Sequence, residues 1–164
     1  LNTPDRHKDW LRDLPEGFRC TLGSKRIFMQ HGSPRRINEF LWESTTPDAV
    51  IERILGDADA DVLFVTHTGI PWQRWLPDGR GVVNVGAIGR PANDGRTCVW
   101  YAIASADGDH VSVELTPLVY DHAALAEEMR EERLPEEFVQ TILTGWWTTC
   151  LEILPIKERT RGRY

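Results

Sequence analysis

The sequence predicts an α/β (α+β) domain in which β-strands carry the core, and three observations predict it. Residues 61–71, DVLFVTHTGIP, place a short apolar run between turn-forming residues, as the buried strand of an α/β or sandwich protein does. Three pairs of strand-like runs flank short turns rich in glycine and aspartate, the pattern of hairpins. Stretches after Thr46-Pro47 and Asp121 instead place apolar residues on one helical face. At 164 residues the chain is long enough to bury one sizeable core.

Taken in order, Thr3-Pro4-Asp5 is a helix start, with a hydroxyl cap, a proline in the first turn and an acid at the positive end of the helix. That helix is expected to stop at Leu14-Pro15. Phe18 to Leu22 and Arg26 to Gln30 form the first hairpin pair, and His31-Gly32-Ser33-Pro34 ends its second strand. Residues 37–42 are expected to be irregular. Thr46-Pro47-Asp48 repeats the helix start, and Val50, Ile51, Ile54 and Leu55 give it a stripe that ends at Gly56, the expected C-cap. Gln73 to Leu76 and Val82 to Val85 flank Pro77-Asp78-Gly79-Arg80 as a second hairpin, followed by a glycine-rich exit loop at 85–91. Cys98 to Ala104 and Val111 to Val119 make the third. Helices are expected over 121–132 and 135–143, with a basic, frayed tail from about 155 to 164. No linker divides the chain, so residues 1–164 are read as a single domain.

Composition narrows the function classes. Net charge is −6, so no basic face points to nucleic acid. No apolar run reaches the roughly 18 residues of a membrane span. The three cysteines, Cys20, Cys98 and Cys150, are far apart and not in CxxC spacing, which favours reduced thiols in a cytoplasmic setting. The strand edges of three hairpins leave room for a homodimer. The chain opens on Leu1 instead of Met and is expected to be part of a longer protein.

Asp57, Asp59 and Asp61 have the opening spacing of a calcium loop. Val62 and Thr68 then stand where such a loop needs glycine and a bidentate glutamate, so a solvated turn is expected. Gly86 to Gly89 lacks the lysine and spacing of a phosphate loop. His7, His110 and His122 are expected at the surface. Trp146-Trp147 reads as packing after the last helix, or else as a partner-facing or membrane-facing patch. His31 and His67 differ, because each ends a strand and enters a glycine-bearing loop, where open sheets bind ligands. Singly, each is an ordinary hydrogen-bonded histidine. Together they could converge on one ion, and imidazole suits zinc, iron, manganese or nickel.

Three ordered blocks carry a resemblance: His31-Gly32-Ser33-Pro34 followed by Asn38-Glu39-Phe40-Leu41, then residues 60–68, then residues 83–91. They resemble the HGSP, GHTH-x-P and VNPGS-x-G-x-P blocks of calcineurin-like metallophosphoesterases, closest to their small bacterial, phosphodiesterase-like branch, over about residues 3 to 125. The resemblance implies a two-sheet mixed β-sandwich flanked by helices. It implies a metal-dependent phosphoesterase acting on phosphomonoesters or phosphodiesters, with two divalent transition metal ions (Mn, Fe, Zn or Ni) activating the attacking water. His31 and His67 would be ligands of one ion. Thr68, Gly69, Asn84 and the Gly86–Gly89 backbone would line the substrate pocket.

The family's Asp-x-His, Gly-Asp and Gly-Asn-His-Asp blocks precede the matched region, so no catalytic residue is assigned. The chain is expected to be the C-terminal part of such a domain and inactive by itself. The family's second GHTH histidine is Gly69 here, and its first glycine is Thr66. A family-fold scaffold that binds protein partners is therefore the alternative. A small β-rich binding domain with structural histidines is a further one.

Overall fold

The computed structural model describes residues 3–160. Its strands form a five-stranded sheet, ordered β1-β2-β3-β5-β4, and a two-stranded sheet of β6 and β7. Strands β1 (Gly17–Leu22) and β2 (Lys25–Gln30) are the first hairpin. β3 (Val62–Val65) runs parallel to β2 on one side and to β5 (Gly81–Asn84) on the other. β4 (Trp72–Trp75) closes the second hairpin against β5. β6 (Val99–Asp107) and β7 (His110–Leu118) are the third. All three expected hairpins form, and residues 37–42 are irregular as expected.

The alternation of β3 explains the layering. Leu63 and Val65 face helix α2 (Asp48–Asp57), packing with Ile51, Ile54, Leu55 and Val82. Val62 and Phe64 face the opposite way, meeting Ile27, Val83 and the inner side of β6 and β7. A strand buried on both faces must be apolar throughout, and all four residues of β3 are buried. The sheet is thus sandwiched between a helix and a second sheet, with α3 (His122–Glu131) and α4 (Glu136–Thr144) packed on each other beyond it.

The local cues need correction at several helix ends. Helix α1 (Asp5–Arg12) takes Pro4 as its N-cap with no side-chain cap bond, so Thr3 does not cap it. Helix α2 likewise starts from Pro47 and runs through Gly56 to Ala58, which stays right-handed; Gly56 is interior, not a cap. Asp121 caps α3 by accepting from the Ala124 amide at 2.9 Å. Gly145 ends α4 at φ 72°, the left-handed conformation that suits glycine.

Of the expected frayed tail, Ile156–Thr160 form helix α5 after a 3-10 turn at Leu151–Ile153. Glu158 on α5 is 4% exposed and accepts from the Ser44 amide at 2.9 Å and from the Ser44 hydroxyl. That bond ties the segment to the body of the fold. The remaining tail, residues 161–164, lies outside the described residues. Among the described residues no helix is long and apolar enough to cross a membrane.

In the acidic stretch at 57–61, Asp59 and Asp61 are engaged by Arg26 of β2. The Asp61 carboxylate accepts from the Arg26 amide at 2.8 Å and from its guanidinium at 2.9 and 3.0 Å, and Asp59 pairs with the same guanidinium. The Asp61 amide donates back to the Arg26 carbonyl at 2.8 Å. These bonds lock the entrance of β3 onto β2. Hydrogen bonding from Arg26 holds the Asp61 carboxyl at about 2.

Candidate metal-binding site

The parallel register brings the two histidines together. Gln30 of β2 pairs with Val65 of β3, so the next residues, His31 and Thr66, leave the sheet side by side. His67 then adopts φ 73°, an uncommon conformation for a residue with a side chain. Nε2 of His31 lies 2.9 Å from Nδ1 of His67, with the rings near perpendicular at 78°. Phe40 packs on His67 from the other side, 4.4 Å between ring centres, and stacks on Trp42 in turn. Thr66 Oγ1 is 2.6 Å from His31 Nδ1. Burial, and then the neighbouring His31, push the His67 imidazolium below its usual pKa, so the ring is favoured as the neutral form that binds metals.

The loop that follows His31 is held rigid. Gly32 has φ 73°, and a Cβ there would lie 2.4 Å from the Ile37 backbone. Ser33 is fully buried; its hydroxyl donates to Glu39 and accepts from the Arg35 amide at 3.1 Å. Burial acts to raise the Glu39 carboxyl, but hydrogen bonds from Arg35 and Ser33 outweigh it and hold it below the usual range. The HGSP and NEF segments thus form one braced turn that places Phe40 beside His67.

The other residues expected at the pocket, Thr68, Gly69 and Asn84, follow His67 or end β5. Thr68 and Asn84 are buried, and their side chains bond within the protein. Asn84 Nδ2 donates to Thr68 Oγ1 at 2.7 Å, and Thr68 Oγ1 donates to the Leu41 carbonyl at 3.2 Å. Asn84 Oδ1 accepts from the Gly86 amide at 3.1 Å. Gly69, at φ 74°, lies against the ring of Trp147. An open concavity of about 600 Å³ is walled by Phe18, Met29, Phe64 and Ala102, and His31 and Thr66 also line it.

Trp147 is 3% exposed and joins a core cluster with Trp42, Ile70 and Leu154, while Trp146 is half-buried; the pair is packing and not an exposed patch. His7 and His110 are exposed and His122 is half-buried, all apart from this site.

Two imidazole nitrogens fit a divalent ion. Tetrahedral ligands about 2.0–2.1 Å from one ion stand roughly 3.3 Å from each other; His31 Nε2 and His67 Nδ1, now at the hydrogen-bond distance of 2.9 Å, need to part only slightly to admit one. Two ligands alone are half of a closed site. Among the described residues no group of three or more His, Cys, Asp or Glu is placed to hold an ion.

The sequence pattern picks out the histidines but misses Thr66. That residue reads as the end of the apolar strand, and its role depends on the parallel register of β2 and β3.

No family model matches the sequence, and no curated protein matches it. Solved structures do. A hypothetical protein from Pyrococcus horikoshii matches at TM-score 0.70 and 23% identity, over 90% of this chain and 64% of its own. A metallophosphoesterase from Sphaerobacter thermophilus matches at TM-score 0.66 and 26% identity, over 87% of this chain and 63% of its own. Vps29 from Chaetomium thermophilum matches at TM-score 0.47 and 19% identity, over 70% of this chain and 63% of its own. This chain spans less than two thirds of the length of each. It carries the calcineurin-like metallophosphoesterase fold, matched over part of such a domain.

Proposed function

We propose that the protein is a metal-dependent phosphoric ester hydrolase, acting on phosphomonoesters or phosphodiesters, to whose metal centre this chain contributes His31 and His67. The observation that carries the proposal is their convergence, with nitrogens 2.9 Å apart where adjacent parallel strands leave the sheet. The metallophosphoesterase from Sphaerobacter thermophilus, alike in fold over 87% of this chain, supports the same reading. A bound divalent cation would lower the pKa of a water and offset charge on phosphoryl oxygens. The chain's own part is to bring two imidazoles together, backed by Phe40 and by the braced loop after His31. Thr68 and Asn84 tie the segment after His67 to Leu41 and to the Gly86 amide.

The test is metal content and hydrolysis of bis(p-nitrophenyl) phosphate and p-nitrophenyl phosphate by the full-length protein. His31→Ala and His67→Ala should each lose metal and lower turnover by roughly a hundredfold or more, as loss of a direct ligand exceeds the ~10–100-fold effect of outer-shell changes. Full activity in both variants would overturn the assignment.

One observation favours a second reading, a scaffold of this fold that binds protein partners. Gly69 replaces the second histidine, and Trp147 occupies the space beside it. A full-length protein that carries no metal near neutral pH and shows no turnover would select the scaffold.

A further inference from the structure

We infer that Thr66 is a positioning residue for the metal ligand His31: its hydroxyl accepts the Nδ1 proton of His31 and so leaves Nε2 as a bare electron pair facing His67. The inference rests on the metal reading proposed above. It starts from the register. Gln30 pairs with Val65, which sets Thr66 beside His31 one residue past the paired strands, and the hydroxyl lies 2.6 Å from His31 Nδ1. The opposite ring nitrogen of His31 is the one 2.9 Å from His67.

A neutral imidazole carries one proton, and where it sits decides which nitrogen can bind an ion. Histidine ligands are generally oriented by a partner that accepts the proton of the other ring nitrogen. A hydroxyl can fill that place, and it adds a property that a carboxylate or carbonyl lacks. It can also turn and donate, so His31 can exchange tautomers when no ion is bound. With Nε2 bare, the His67 Nδ1 proton lies between the two rings. An ion placed there would take the position of that proton, and His67 would carry its proton on Nε2 instead. No net proton is gained or lost in that exchange.

Thr66 and His67 are half-buried and His31 is exposed, so the half-buried hydroxyl holds a ring that water also reaches. Thr66 is itself held in place, because its carbonyl accepts from the Thr68 amide at 2.9 Å. Val65, immediately before it, is fully buried. Rotation about one side-chain bond is therefore the main freedom left to the hydroxyl.

The test uses the full-length protein, zinc as the probe ion, and the variants Thr66→Val, Thr66→Ser and His31→Ala. Zinc affinity is read by competition with a chromophoric chelator, and the His31 tautomer by 15N–1H NMR of the ring nitrogens. Thermal unfolding checks that each variant is folded. Thr66→Val should weaken zinc binding about 10–100-fold, the usual cost of removing an orienting partner. Thr66→Ser should restore it to within about twofold. With zinc bound, His31 should carry its proton on Nδ1 in the wild type and in Thr66→Ser. Zinc binding that is lost in His31→Ala but unchanged in a folded Thr66→Val overturns this inference and leaves the metal reading standing. A wild-type protein that binds no zinc overturns both.

Discussion

The indole of Trp147 lies over the α-carbon of Gly69, so close that a β-carbon at position 69 would stand 3.1 Å from ring atom Cζ2 and 3.3 Å from Cη2. Trp147 is fixed there. Its ring nitrogen donates to the Pro91 carbonyl at 2.7 Å, its amide donates to Asn93 Oδ1 at 2.8 Å, and the Arg90 guanidinium lies 3.6 Å above the ring centre. Two independent features favour glycine at residue 69, a left-handed backbone and a tightly placed ring beside it. The sequence difference at this position is thus coupled to packing more than seventy residues away.

Gly69→Ala should therefore cost about 1–3 kcal/mol, from the strained backbone and the crowded ring together. Gly69→His should cost at least as much and should not tighten zinc binding, because the left-handed backbone disfavours any side chain there and its β-carbon already crowds Trp147. Urea unfolding and chelator competition measure the two effects. A Gly69→His protein of wild-type stability and higher zinc affinity would contradict the packing argument.

Asn84 is fully buried and its side chain ties three segments together: it bonds Thr68, through Thr68 it reaches Leu41, and it holds the Gly86 amide. Replacing it with leucine leaves the Gly86 amide and the Thr68 hydroxyl each short of a partner in the core. Stability should fall by about 1–3 kcal/mol, the penalty of an unmade buried hydrogen bond. The denaturant slope should stay unchanged, since the fold itself persists. Unaltered stability would show that water or a shifted side chain satisfies these groups.

The strands were readable because their cues are local. The run at 62–65 is apolar throughout because β3 is buried on both faces, and each hairpin carries its own turn residues. Residues 46–57 show their helical stripe for the same reason. Helix ends were less readable, since proline at the first turn took the cap position that the hydroxyls of Thr3 and Thr46 were expected to fill. The relations that build the site are not local at all. Thr66 with His31, Asn84 with Thr68 and Gly69 with Trp147 depend on strand order and on packing across the chain, which residue spacing does not encode.

The Arg26–Asp61 pair makes acid stability a local test of the β2–β3 junction. The folded Asp61 carboxyl titrates at about 2, below the usual carboxylate value near 3.8. As pH falls, the unfolded chain takes up this proton first, so the pair's contribution is present above about pH 4 and is lost on the way to pH 2. Asp61→Asn should be less stable than wild type at neutral pH, and the difference should shrink between pH 4 and 2. Urea unfolding across that range measures it. A difference that stays constant with pH would mean that the charge of Asp61 contributes nothing.

His67 gives the opposite kind of pH dependence to a surface histidine that gains an acidic partner. Burial and His31 both disfavour its charged form, so its folded pKa lies below the ordinary value of about 6.5. When pH falls through that ordinary value, the unfolded chain binds a proton at this residue and the folded chain does not yet. Stability of the metal-free protein should therefore be fully present above about pH 6.5 and decline as the pH drops below it toward the folded pKa. The chain carries four other histidines, so the informative quantity is the difference from His67→Gln, measured in the presence of a chelator. That variant should lose less stability than wild type between pH 7.5 and 5. Equal losses would place the His67 ring in an environment no different from water, and a larger loss in His67→Gln would reverse the sign of the argument.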